Sequence, residues 1–174
     1  MIHEFVKGRS IIETVMVTDL SKHLDYTSRI RSMAANGKNE GVMSDPNILM
    51  QIAIKSSDLG HCAKKMKTHL KWTALISEEM FRQGDKEKLL GIKVSAFCDR
   101  DNGDIPKSQV GFFTYIINPY FSAIVELDHR FENIKTAVLK NYKYWRNEAG
   151  LKAEATKRKM EPISLPAAME QKEE

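Results

Sequence analysis

SDPNILMQIAIKSSDLGH, residues 44–61, decides the fold class. Ser44 and Asp45 are cap residues, and Pro46 falls where its missing N–H costs a helix nothing. Ile48, Leu49, Ile52 and Ala53 then recur at helical spacing, and Gly60 marks the end. No strict alternation of apolar and polar residues competes with this pattern, so the segment reads as an amphipathic helix.

Working outward, the same period recurs on both sides. Residues from about Arg9 to Met33 carry Ile11, Ile12, Val15, Met16, Leu20 and Leu24 on one face. NGKNEG (36–41) is polar, holds two glycines and breaks the pattern. A third helix is predicted from about Lys67 to Arg82, with Leu70, Trp72, Leu75, Ile76, Met80 and Phe81 apolar. QGDKEKLLG reads as a turn with one or two helical turns, and VSAFCDRDNGDIPKS (94–108) as loop. Asp104 and Pro106 reopen a helix that carries Gln109 and Phe112 and ends near Pro119. The last helix, about Ala123 to Trp145, is amphipathic through Ile124, Leu127, Phe131, Ile134, Val138 and Tyr142. The expected class is all-α, with a folded unit over 1–147 and a charged, disordered tail over 148–174.

A chain of 174 residues, 42% apolar and 29% charged, can bury one globular core. Lysine and arginine number 27 against 23 acidic residues, a scattered excess of +4. A nucleic-acid groove needs a clustered basic face, which is absent here, so that class is set aside. No apolar run approaches the roughly 20 residues of a membrane span. Cys62 and Cys98 share no metal-ligand spacing with the histidines, which predicts free buried thiols and a cytoplasmic setting.

Three places can carry chemistry. In TDLSKH (18–23), Asp19 and His23 are four apart and can pair, or simply fix packing. Asp58 ends an apolar helix beside His61, and carboxylate with imidazole suits a cation, although two ligands fall short of a closed zinc site. Gln109 and Phe112, three apart, share a helix face. They can read and stack on a planar heterocycle, or they are a half-exposed amide beside a core ring.

Five ordered stretches join these places: TDLSKH, DLGHCAK, WTALISEEMFRQGDKEK, SAFCDR and PKSQVGF. Together they resemble the catalytic domain of class I 3′,5′-cyclic nucleotide phosphodiesterases, from about Arg9 to Trp145. The resemblance implies an all-helical domain that hydrolyses cAMP, cGMP or both to the 5′-monophosphate with two divalent ions, zinc and magnesium (or manganese). Asp58 resembles the last of four protein ligands to the tight metal, and Asp19 a carboxylate lying just outside the ligands. Gln109 resembles the amide that hydrogen-bonds the purine. Phe112 and Ile76 resemble the residues closing on its two faces, while His61 falls where a sugar contact is possible. Trp72 and Phe81 are expected in the core. The family's upstream His-Asn-x-x-His segment and His-Asp pair have no counterpart in these residues. With them go three ligands and the general acid, so the chain resembles the C-terminal half of the domain and is expected to be inactive alone. Lys65 and Ala96 stand where many members have proline. The rival expectation is a non-catalytic helical fragment that packs against or regulates a full-length partner.

Overall fold

The computed structural model describes residues 10–36 and 45–160, with the backbone alone over 151–160. Among them there is no strand, so the all-α expectation holds. Helix α1 (10–16) gives way to a turn in which Thr18 and Asp19 amides bond back to Val15 and Met16. Asp19 then caps a 3-10 turn, Leu20–Lys22, by accepting from the Ser21 amide at 2.8 Å. Helix α2 (His23–Ala35) follows, then α3 (Pro46–Asp58), a 3-10 turn at Gly60–Ala63, and α4 (Met66–Leu89). Helix α5 (Ile105–Phe112), a π-helical turn (Phe113–Ile117) and α6 (Asn118–Leu127) run on without a break. A 3-10 turn (His129–Phe131) precedes α7 (Glu132–Met160).

The start of α3 behaves as its sequence dictates. The Asp45 carboxylate accepts from the Asn47 amide at 2.9 Å, with Pro46 inside the first turn. Asp104 caps α5 in the same way through Lys107. The core lies between α2, α6 and α7, where Ile30, Phe113, Ile117, Tyr120, Ile124 and Val138 are buried. Residues Ile105–Leu127 make a 23-residue helical run long and apolar enough to cross a membrane, but its buried side chains are those of the core. The sequence reading missed that length because it stopped the helix near Pro119. The π-helical turn before it lets Pro119 sit in the first turn of α6, where its ring disturbs no earlier hydrogen bond.

Four further expectations are corrected. The first helix breaks at 17–19 because Asp19 starts a new turn there. Its apolar face is also not the buried one: α2 buries His23, Tyr26, Thr27 and Ile30, while Ile11, Ile12, Val15, Leu20 and Leu24 are each more than half exposed. The predicted final helix is interrupted at Asp128, whose extended backbone and side chain cap the next turn. Trp72 is 51% exposed rather than core, because α4 buries only His69, Thr73 and Gly84.

Helix α4 also runs on to Leu89, past the predicted stop at Arg82. Its second half is tied to the loop after it. Arg100 bridges Glu78 at 2.8 Å and Asp85 at 3.0 Å, Lys88 reaches Asp99 and Asp101 at 2.7 Å, and Glu87 takes the Ser95 amide and hydroxyl. The loop passes so near that a Cβ on Gly84 would lie 1.9 Å from the Cys98 carbonyl oxygen. EEMFRQGDKE and SAFCDR are therefore two sides of one contact. Within that loop Phe97 takes a left-handed φ of 66° with its ring 66% exposed.

Candidate functional site

Capping and periodicity put Gln109 and Phe112 on one face of α5. Both are half-buried, and Phe112 packs against the core. The Gln109 amide oxygen is buried with no hydrogen-bond partner. Such an orphaned acceptor costs about 1–3 kcal/mol, a cost that a bound donor would remove. Ile76 lies on α4 one turn after exposed Trp72 and next to exposed Leu75, and is itself 38% exposed.

A second group gathers at the end of α3. Asp58 is exposed in the last turn, where the negative end of the helix dipole disfavours a carboxylate. Lys55, one turn earlier, is 1% exposed and donates to the Val17 carbonyl at 2.6 Å. Its ammonium stands 5.9 Å from the Tyr26 ring centroid and feels the charges of both Asp58 and Asp19. The Ser21 N–H, and after it Lys22 and Lys55, hold the Asp19 carboxyl below its usual range. Of the two readings of Asp19 and His23, the pair does not form, because Asp19 spends its carboxylate on the cap. His23 instead directs Nε2 at the Ile116 carbonyl, 3.1 Å away, and its Nδ1 has no partner. Burial, helped by Lys55, holds the imidazole below its usual value.

His61 turns inward. Its ring stacks on His69 with centroids 5.3 Å apart, Nδ1 lies 3.3 Å from His69 Nδ1, and Nε2 lies 3.5 Å from Cys62 Sγ. These three side chains bring their ligand atoms within 4.8 Å of one another, close enough to suggest a metal centre. Proton counting argues otherwise. The Trp145 indole, which can only donate, gives its N–H to His69 Nε2 at 2.7 Å. His69 must then carry its proton on Nδ1 and offer it to His61 Nδ1. The His61 proton is left on Nε2, facing the sulfur. A metal on His69 Nδ1 would have to strip the last proton from the ring. Burial also pushes the Cys62 thiol up to about 12, far from the thiolate a metal needs. The group is a directional hydrogen-bond chain, and the same burial holds His69 down to about 4.

Residues 5–138 match the family model for 3′5′-cyclic nucleotide phosphodiesterase. The chain belongs to this family. It is 34% identical over 128 residues to 3′,5′-cyclic-AMP phosphodiesterase, isoform F, of Drosophila melanogaster, covering 70% of this chain and 19% of that one. It is 37% identical over 124 residues to the probable 3′,5′-cyclic-AMP phosphodiesterase pde-4 of Caenorhabditis elegans, covering 67% and 18%. With the dual specificity calcium/calmodulin-dependent 3′,5′-cyclic nucleotide phosphodiesterase 1B of Bos taurus it shares 34% over 125 residues, 71% and 23% of the two chains. The solved structure of LmjPDEB1 in complex with IBMX superposes with a TM-score of 0.73 at 29% identity, covering 82% of this chain and 43% of that one. The chain spans between 11% and 23% of the length of the curated relatives it matches.

Phosphodiesterases of this family are metal-dependent hydrolases. Among the described residues no group of three or more ligand side chains includes Asp58, which falls short of the four ligands of a closed zinc site. Three features escaped the sequence reading: the Lys55 ammonium beside the carboxylates, the Trp145–His69–His61 chain, and the need for Gly84. Only the glycine inside an otherwise uninterrupted helical pattern carried a readable signal.

Proposed function

We propose that this chain is the base-binding part of a catalytic domain that hydrolyses a 3′,5′-cyclic nucleotide, cAMP or cGMP, to the 5′-monophosphate. The observation that carries the proposal is the Gln109 amide oxygen, buried and unpartnered on the same helix face as Phe112. A purine edge supplies donors and acceptors, and the amide can meet either after a half-turn. Phe112 would stack on one face of the base and Ile76 close on the other. His61 would reach the sugar only by giving up its contact with Cys62. Asp58 would face the metals, with Asp19 behind it. Zinc and magnesium (or manganese), when held by the complete ligand set, supply the nucleophile and neutralise phosphate charge.

The partner proposed for the exposed face of Ile11, Ile12, Val15, Leu20 and Leu24 is the N-terminal half of such a domain. Five large apolar side chains, each more than half exposed, are costly to leave in water. The test of the base assignment is Gln109→Ala in a protein that carries that half. Nucleotide binding should weaken about 5- to 150-fold, the equivalent of about 1–3 kcal/mol. Unchanged affinity for both cyclic nucleotides would return Gln109 to a packing role.

A further inference from the structure

Among the described residues the outer side of α4 has no partner. Of its 24 residues the helix buries only His69, Thr73 and Gly84. Turned away from those three, Leu75, Glu79, Arg82, Gln83, Lys86 and Leu90 line a shallow groove, about 22 Å long at 1.5 Å per residue. Leu75 and Leu90, at its two ends, are 53% and 74% exposed. Between them Arg82 is held by Glu78 at 3.0 Å, and Gln83 gives its amide N–H to Glu87 at 2.9 Å. Glu79 and Lys86 are exposed, and neither has an ion pair or side-chain hydrogen bond among the described residues.

The order apolar, acidic, basic, apolar along this groove decides what fits it. A second copy laid parallel and in register would set Glu79 against Glu79 and Lys86 against Lys86. Laid antiparallel, about a two-fold axis between positions 82 and 83, it sets Leu75 on Leu90 and Glu79 on Lys86. Symmetry then makes each of these contacts twice. Glu78 and Glu87 fall on opposite flanks of the seam, where Arg100 and Ser95 already hold them. The groove is complementary to itself in the antiparallel orientation.

We propose that the outer face of α4 is a self-docking surface, on which two copies of this chain pair antiparallel through Leu75, Glu79, Lys86 and Leu90. One helix face of this length buries less than the roughly 1,200 Å² at which stable interfaces begin, so the dimer is weak and concentration-dependent. The pairing does not involve Gln109 or Phe112, which lie on α5, and it stands whether or not they bind a base.

The experiment is sedimentation velocity of the purified 174-residue chain from low to high micromolar concentration. Wild type should show a monomer–dimer equilibrium, and Glu79→Lys and Lys86→Glu should each weaken the dimer at least tenfold. A contact between unit charges about 4 Å apart is worth roughly fivefold even at the dielectric of water, and each reversal turns two such contacts into repulsions. An equimolar mixture of the two variants should dimerise again, because each meets the opposite charge in the other. Wild type that stays monomeric throughout overturns the proposal, as does a mixture no more dimeric than its components. A dimer indifferent to both reversals also overturns it and moves self-association to another face, such as that of Ile11, Ile12 and Leu24. Loss of the dimer when the chain is joined to an N-terminal half assigns the α4 face to that half and overturns it too. Should wild type form larger assemblies, disulfide trapping decides, since both native cysteines are buried. Leu75→Cys mixed with Leu90→Cys should cross-link faster than either variant alone, and equal rates refute the pairing.

Discussion

Replacing Gly84 by alanine should destabilise the protein, against the usual sign for a glycine inside a helix. In an open helix the change is worth about 1 kcal/mol in favour of alanine. Here the new Cβ would sit 1.9 Å from the Cys98 carbonyl oxygen and 2.7 Å from its carbonyl carbon. Both are backbone atoms and cannot rotate aside, so the loop must retreat by about 1 Å or more to restore ordinary contact. That loop is tied back to α4 by Lys88, Glu87 and Arg100, and a retreat stretches all three sets of bonds at once. Overpacking of this kind costs about 1–3 kcal/mol, more than the helical gain at its upper end. The net expectation is a loss of up to about 2 kcal/mol, or a Tm lower by up to roughly 8 °C for a chain of this size. Thermal unfolding followed by circular dichroism reads it, with Gly150→Ala as the control, because a Cβ there meets nothing within 4 Å. The control should be neutral or stabilising. A rise in Tm for Gly84→Ala matching that of Gly150→Ala would refute the close passage of the loop.

Acid should weaken the fold before the carboxylates titrate. Burial holds His23, His61 and His69 below their usual value, His69 at about 4 against 6.5 when unfolded. The unfolded chain thus binds more protons between these values. Stability is complete above pH 6.5 and falls with pH, by about 2 kcal/mol at pH 5 from His69 alone. Urea unfolding at pH 7 and pH 5 checks it, and equal midpoints would contradict it. The ion-paired Glu78 and Asp99, held down to about 2, titrate below this window. In the unliganded protein, Gln109→Leu should leave stability unchanged or raise it by about 1 kcal/mol, since it removes an unpartnered buried acceptor. A clear loss of stability in the same urea assay would show that the amide has a partner within the fold.

The helices were legible where local chemistry is decisive. Asp45–Pro46 and Asp104–Pro106 fix the starts of α3 and α5 through caps that act within one turn. The first helix was misread because Asp19, a cap residue, stands among apolar neighbours whose period carries straight through it. Which face is buried was not legible there, since periodicity finds an apolar stripe but not what covers it. Pro119 misled in the opposite direction, because a π-helical turn is a tertiary accommodation with no sequence period of its own. Of the site, Gln109 and Phe112 were visible as a pair three residues apart, and their roles came only from resemblance. The Lys55 ammonium and the Trp145–His69 bond join residues 38 and 76 positions from their partners, beyond the reach of any spacing rule.

Cyclic nucleotide turnover by the 174-residue chain, alone and joined to the N-terminal half of a relative's catalytic domain, tests the account most directly. Both proteins would be assayed on cAMP and cGMP with zinc and with millimolar magnesium or manganese, alongside Gln109→Ala in the joined form. The account predicts no turnover by the short chain, whose described residues set no complete ligand group around Asp58. The joined form should hydrolyse at least one nucleotide and lose much of that activity with Gln109→Ala. Robust turnover by the short chain, abolished by Asp58→Ala, would contradict it, as would a joined, folded and metal-loaded protein that binds neither nucleotide.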